Sequence, residues 1–92
     1  MSEDILVKMV GQVRDEFQIP SYFPNDALER YFQEGHRYLS RLNPNVILDD
    51  DVEFQSLLKT YVYYAYEHHV YEFVENYREP ILSWQMGSEV DT

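Results

Sequence analysis

Ile5, Leu6, Met9, Val10, Val13 and Phe17 recur at the three- and four-residue steps of one helix face. Ser2 ahead of them offers a capping oxygen, and Glu3 and Asp4 set negative charge at the positive end of the helix dipole. The spacing predicts a helix over about residues 3–16. Pro20 and Pro24 then bracket Ser21, Tyr22 and Phe23, and each proline disfavours helix in the residue before it, so this stretch reads as a packed connector with two aromatics to bury. Asp26 followed by Glu29 has the spacing of a capping box. Leu28, Tyr31, Phe32, Gly35, Tyr38, Leu39 and Leu42 make the stripe of a second helix over about residues 26–42.

Asn43, Pro44 and Asn45 break that pattern. Asp50 and Glu53 repeat the capping-box spacing ahead of Val52, Phe54, Leu57, Leu58, Tyr61, Val62 and Ala65, which predicts a third helix from about residue 51. The run YVYYAY is rich in β-formers, yet the 3.6-residue pattern enters it from Leu57 and leaves through Val70, Phe73, Val74 and Tyr77, so helix is the better reading. Glu67, His68 and His69 interrupt the pattern, leaving open one helix to about residue 78 or two helices with a kink. Pro80 ends this segment, because it pushes Glu79 away from helical geometry while itself suiting a first helical turn. A short amphipathic piece, ILSWQM, and the tail GSEVDT follow. The fold class is therefore all-α: a small bundle of three main helices plus a short C-terminal helix or extension, with residues 1–79 as the helical domain and 80–92 as a docking segment and tail.

Composition narrows the partners. The 92 residues hold 17 acidic and 7 basic side chains, a formal charge of -10, no cysteine and nine tyrosines. Phosphate backbones are bound through clustered Lys and Arg, so duplex DNA is not an expected ligand. At 45% hydrophobic residues the chain is too apolar for disorder. The excess charge is uneven: residues 47–92 carry ten acids and two bases, whereas residues 25–46 carry three of each. Lack of cysteine excludes a disulfide scaffold and points to a reducing compartment. The apolar runs are too short for a membrane span, and MSEDILVKMV has no basic region ahead of an apolar one, so no membrane association or signal peptide is expected. A domain this small buries only about 60–65% of its unfolded surface, so a lone subunit has a thin core and neighbours would help it.

Candidate chemistry is sparse. Asp49, Asp50 and Asp51 lack the spacing of a calcium loop and read as helix-start acids. His68 and His69 point about 100° apart on a helix, which is poor for joint ligation, and His36 stands alone; neither a metal nor a cofactor is expected. Gly11, Gly35 and Gly87 form no phosphate loop, and no serine sits in a nucleophile motif, so an enzyme is not expected. Arg30, Glu34, Arg37 and Arg41 form a stripe on the second helix, which reads either as a solvated ion-pair face or as a charge match for the acidic C-terminal half of another subunit. Tyr61, Tyr63, Tyr64 and Tyr66 spread over more than one helix face, which one three-helix subunit does not easily cover; they read either as core packing or as an interface, which tyrosine suits. These arginines and tyrosines are the candidate subunit interface. A helix of one or two turns needs a surface to lie on, so Ile81, Leu82, Trp84 and Met86 either pack back onto their own subunit or are the candidate docking residues for a partner.

The order of elements, with QIPSYFPNDALERYF as an I-P-x-Y-F type connector and LLKTYVYYA followed by YEFVENYREPIL as an aromatic helix leading to E-F-x-x-N-Y, resembles the small α-helical head–tail connector proteins of tailed bacteriophages, also called adaptor or head completion proteins. The likeness covers about residues 5–83. Many members have a small residue where this chain has Glu67, His68 and His69. The resemblance implies a structural virion protein without a reaction: a homo-oligomeric ring of about twelve subunits below the portal protein, extending the DNA channel and joining the filled head to the tail or a stopper-type completion protein. DNA would pass through the ring without specific binding, and the protein would reside at the head–tail interface after assembly in the host cytoplasm. The alternative from composition is an acidic DNA-mimic inhibitor of a nucleic-acid enzyme, which would expose carboxylates in rows spaced like phosphates and stay a monomer or dimer. A generic helical interaction domain is the third reading.

Overall fold

In the computed structural model, which describes residues 1–90 with side chains to residue 87, five α-helices and one 3-10 turn follow one another. They are α1 (Glu3–Glu16), α2 (Asn25–Leu42), the 3-10 turn (Leu48–Asp50), α3 (Val52–Tyr66), α4 (Val70–Asn76) and α5 (Arg78–Val90), with no strand among the described residues. The chain is all-α. The first helix starts where its cap requires: the Ile5 N–H donates to Ser2 Oγ at 3.3 Å. It stops in a Schellman motif, with Gln18 in the left-handed region (φ 53°) and the Ile19 N–H donating to the Arg14 carbonyl at 3.1 Å.

Arg14 then shapes the connector to α2. Its guanidinium donates to the Pro20 carbonyl at 2.9 Å, to the Phe23 carbonyl, and to Asn25 Oδ1 at 2.6 and 3.0 Å. This rigid fork of donors joins the Phe23 N–H at the Pro20 carbonyl (3.0 Å) and reaches the Phe23 carbonyl as well, fixing the path of the loop between the prolines. Only one of the two connector aromatics is covered: Phe23 meets Tyr66 edge-on at 4.8 Å, whereas Tyr22 stays exposed. The expectation that both would be buried is corrected, because the Ser21–Tyr22 turn projects from the surface between the prolines.

Two capping expectations are also corrected. Pro24 occupies the cap position of α2, no side chain caps that end, and Asp26 contributes only first-turn charge, since Asn25 already begins the helix and its carbonyl oxygen is taken by Arg14. At α3 the cap is Asp51, one residue later than Asp50, which lies in the 3-10 turn; Asp51 Oδ1 accepts the Phe54 N–H at 2.9 Å. Gln55 closes this start by donating to the Leu48 carbonyl at 2.9 Å.

Packing of α2 on α3 forms the centre. Leu28, Phe32 and Leu39 of α2 are fully buried with Phe54, Leu58 and Val62 of α3, and Gly35 lets the helices approach: a Cβ there would stand 2.6 Å from Tyr61 Cδ1 and 2.8 Å from Leu58 Cδ1. The YVYYAY run is helical, as its periodicity predicts. The break after it is real: α3 ends at Tyr66 in a second Schellman motif, in which His68 is left-handed (φ 64°), its N–H donates to Ala65 at 3.0 Å, and the His69 N–H donates to Tyr64 at 2.8 Å. Of the two readings left open, the kinked pair holds.

Tyr77 separates α4 from α5, and Pro80 lies in the first turn of α5, where a missing N–H costs nothing. Arg78 and Glu79 are nonetheless helical, so the break falls ahead of the position expected from Pro80. The inner face of α5 enters the common core: Ile81 is buried and Trp84 is 2% exposed, its ring 5.2 Å from that of Phe54. Gln85 Nε2 donates to the Leu42 carbonyl at 2.6 Å, tying α5 to the C-terminus of α2.

Candidate interaction faces

Helical geometry sorts the α2 side chains into two groups. With about 100° between successive residues, Leu28, Phe32, Gly35 and Leu39 share one direction, toward α3, while Arg30, Glu34, Arg37 and Arg41 share nearly the opposite one. All four of the latter are exposed. None of the three arginines forms an ion pair with a described residue; Arg30 lies over the Tyr31 ring at 5.8 Å, a surface cation–π contact. The stripe read from sequence is therefore an open basic face.

The four α3 tyrosines have different places. Tyr61 is core, stacked on Tyr38 at 6.1 Å and edge-on to Phe73 at 5.5 Å, so its ring is no part of a surface. Burial, then the Glu34 carboxylate and Tyr38, push its phenol up, with Arg37 opposing. Tyr63, Tyr64 and Tyr66 are half-buried. Tyr63 stacks on Phe17 at 4.5 Å, and Tyr64 packs against Phe73 and Tyr77 while accepting a hydrogen bond from Asn76 Nδ2 at 3.2 Å. These rings bind α1, the connector and α4 to α3, so much of the aromatic surplus is spent within the subunit.

What remains open is a cleft of about 230 Å³ at the α3–α4 kink, lined by Tyr63, Tyr64, Glu67, His69 and Glu72. The two tyrosine rings stand at 87° with centroids 6.4 Å apart. A hydrogen bond to the Glu67 carboxylate, together with its charge, pushes the Tyr63 phenol up. Within this lining, His69 Nδ1 lies 3.1 Å from Glu72 Oε2, a half-exposed pair. Tyr63 and Glu67 project from the side of α3 turned away from Gly35 and the α2 contact. In the linear sequence Glu67 and His69 show only as an interruption of the apolar pattern, and the i,i+3 spacing of His69 and Glu72 is a signal that becomes informative only once the kink is known.

The docking candidates divide. Ile81 and Trp84 face the core of their own chain, whereas Leu82 and Met86, one turn apart, are 52% and 53% exposed on the outer side of α5. Val74 and Leu82 share a shallow groove of about 200 Å³ with Tyr38, Leu42 and Gln85, and Tyr71 on α4 is 67% exposed. Of this set, Leu82 and Met86 face outward and Trp84 does not.

Among the described residues no three His, Asp or Glu side chains are grouped so as to hold a metal ion, and no helix is long and apolar enough to cross a membrane. Comparison with known proteins adds no relative: no family model, curated protein or solved structure matches the chain.

Proposed function

We propose that this chain is a head–tail connector subunit of a tailed phage, a structural protein that closes into a ring below the portal and extends the DNA channel. The observation that carries the reading beyond sequence resemblance is the pairing of unlike faces. An open basic stripe on α2 and an aromatic, carboxylate-lined cleft on the side of α3 turned away from α2 are separate surfaces, and exposed Val74 and Leu82 form a third, in a groove shared with Tyr38 and Leu42 of α2. Two different, complementary surfaces on one subunit make a head-to-tail contact, the arrangement that generates rings when the rotation closes. A charge of -10 suits a channel through which DNA moves without adhering. The outward Leu82 and Met86 suit contact with the portal or the next completion protein. A DNA mimic has no use for the basic stripe or for these apolar groups, so the connector reading is preferred.

Negative-stain imaging of the purified protein mixed with the portal protein of the same phage tests this. The proposal expects an added annular layer on the portal; bare portals beside free monomers would refute it.

A further inference from the structure

The cleft at the α3–α4 kink has the chemistry of a cation socket. Tyr63, one face of which is already covered by Phe17, and Tyr64 line it at 87° to each other as aromatic walls for a flat cation, and Glu67 and Glu72 line it as carboxylates. Its volume of about 230 Å³ accommodates the end of one arginine side chain. The His69–Glu72 pair is half-exposed and can yield Glu72 to a stronger donor.

The supply of cations in the chain points to the occupant. Of seven basic side chains, Arg14 is committed to Pro20, Phe23 and Asn25, and Lys59 pairs with Glu16 at 2.8 Å. Three of the other five are the exposed arginines of the α2 stripe, which have no ion-pair partner among the described residues. By helical register they stem from the side of α2 opposite its α3 contact, while Tyr63 and Glu67 stem from the side of α3 opposite its α2 contact, and packed helix axes are about 8–10 Å apart, so the stripe and the cleft of one chain lie on different sides of the helix pair. We propose that the cleft formed by Tyr63, Tyr64, Glu67, His69 and Glu72 is the socket for a guanidinium of the α2 stripe, Arg37 or Arg41, of a second copy of this chain. The inference rests on the ring reading above and supplies its specific contact: successive subunits plug α2 into the kink of the next.

Sedimentation velocity on the full chain, with and without portal protein, tests the socket by charge exchange. R37E/R41E and E67K/E72K should each fail to assemble, while an equimolar mixture of the two should assemble, because the reversed stripe of one meets the reversed cleft of the other. All four positions are solvent-accessible, and far-UV circular dichroism of each variant checks that the helices persist. In parallel, N-acetylarginine amide titrated onto isolated protein should shift the Tyr63 and Tyr64 ring resonances, with roughly tenfold weaker binding for E67Q/E72Q. Should the unaltered chain assemble and E67Q/E72Q assemble at the same concentration, the socket is overturned and the ring stands. Should the unaltered chain remain monomeric under every condition, the ring falls and the socket with it.

Discussion

Asp51 holds Trp84: the indole N–H donates to Asp51 Oδ2 at 3.3 Å, while the other oxygen of the same carboxylate caps α3 through the Phe54 N–H at 2.9 Å. One side chain thus starts the central helix and fastens the last one, so the docking of α5 and the N-terminus of α3 are coupled. Asp51→Ala should lose about 1–3 kcal/mol, the sum of a cap and a hydrogen bond. Trp84→Phe should lose only the hydrogen bond and part of the packing, and Trp84→Ala about 3–5 kcal/mol. Urea melts read by tyrosine fluorescence and circular dichroism check the order, and an unchanged midpoint for Trp84→Ala would contradict the buried placement.

Gly35 and Gly11 should respond to alanine with opposite signs. A Cβ at Gly35 meets Tyr61 and Leu58 side-chain carbons at 2.6 and 2.8 Å, and the overpacking, typically about 1–3 kcal/mol, outweighs the gain in helix propensity. At exposed Gly11 an added Cβ meets nothing within 4 Å, so Gly11→Ala should stabilise by about 0.5–1 kcal/mol. Thermal melts of the two variants provide the comparison.

His68 and Gln18 sit at left-handed positions that glycine fills without strain. Both are exposed, so His68→Gly and Gln18→Gly should each raise stability by about 0.5–1 kcal/mol, read as a higher denaturant midpoint at unchanged slope. A loss at His68 would show that its side chain makes a contact worth more than the backbone strain.

His36 links stability to pH. Its imidazole stacks on Phe54 at 5.5 Å, and burial, followed by the nearby N-terminal ammonium, holds it below its ordinary 6.5. A base with a depressed folded value is protonated first in the unfolded chain, so stability should fall as pH drops from about 6.5 toward the folded value and level off for this group below it. His36→Gln should flatten that slope, which urea melts at a series of pH values would register.

Much of the helical framework was legible because it rests on local rules. Ser2 with Glu3 and Asp4 announces α1, Pro24 limits the start of α2, and the loss of periodicity at Glu67 marks the kink. What escaped sequence depends on tertiary neighbours. Three successive aspartates offer equivalent caps until the 3-10 turn places Asp51, and not Asp50, at the helix start. Whether Trp84 or Met86 faces inward is undecidable in a short amphipathic segment until a surface is chosen; the start of α3, through Phe54 and Asp51, chooses Trp84. The role of Arg14 depends on the path of a proline-bracketed loop. The cleft exists only because α3 stops at Tyr66, which brings Glu72 and His69 round to Tyr63 and Tyr64.

Mass photometry of the purified portal ring, alone and with this protein in excess, measures the central claim most directly. A connector adds one discrete layer of about twelve 11.1-kDa subunits, saturating at a single mass. A portal whose mass does not change, with this protein remaining monomeric at concentrations well above those of an assembling cell, would contradict the account.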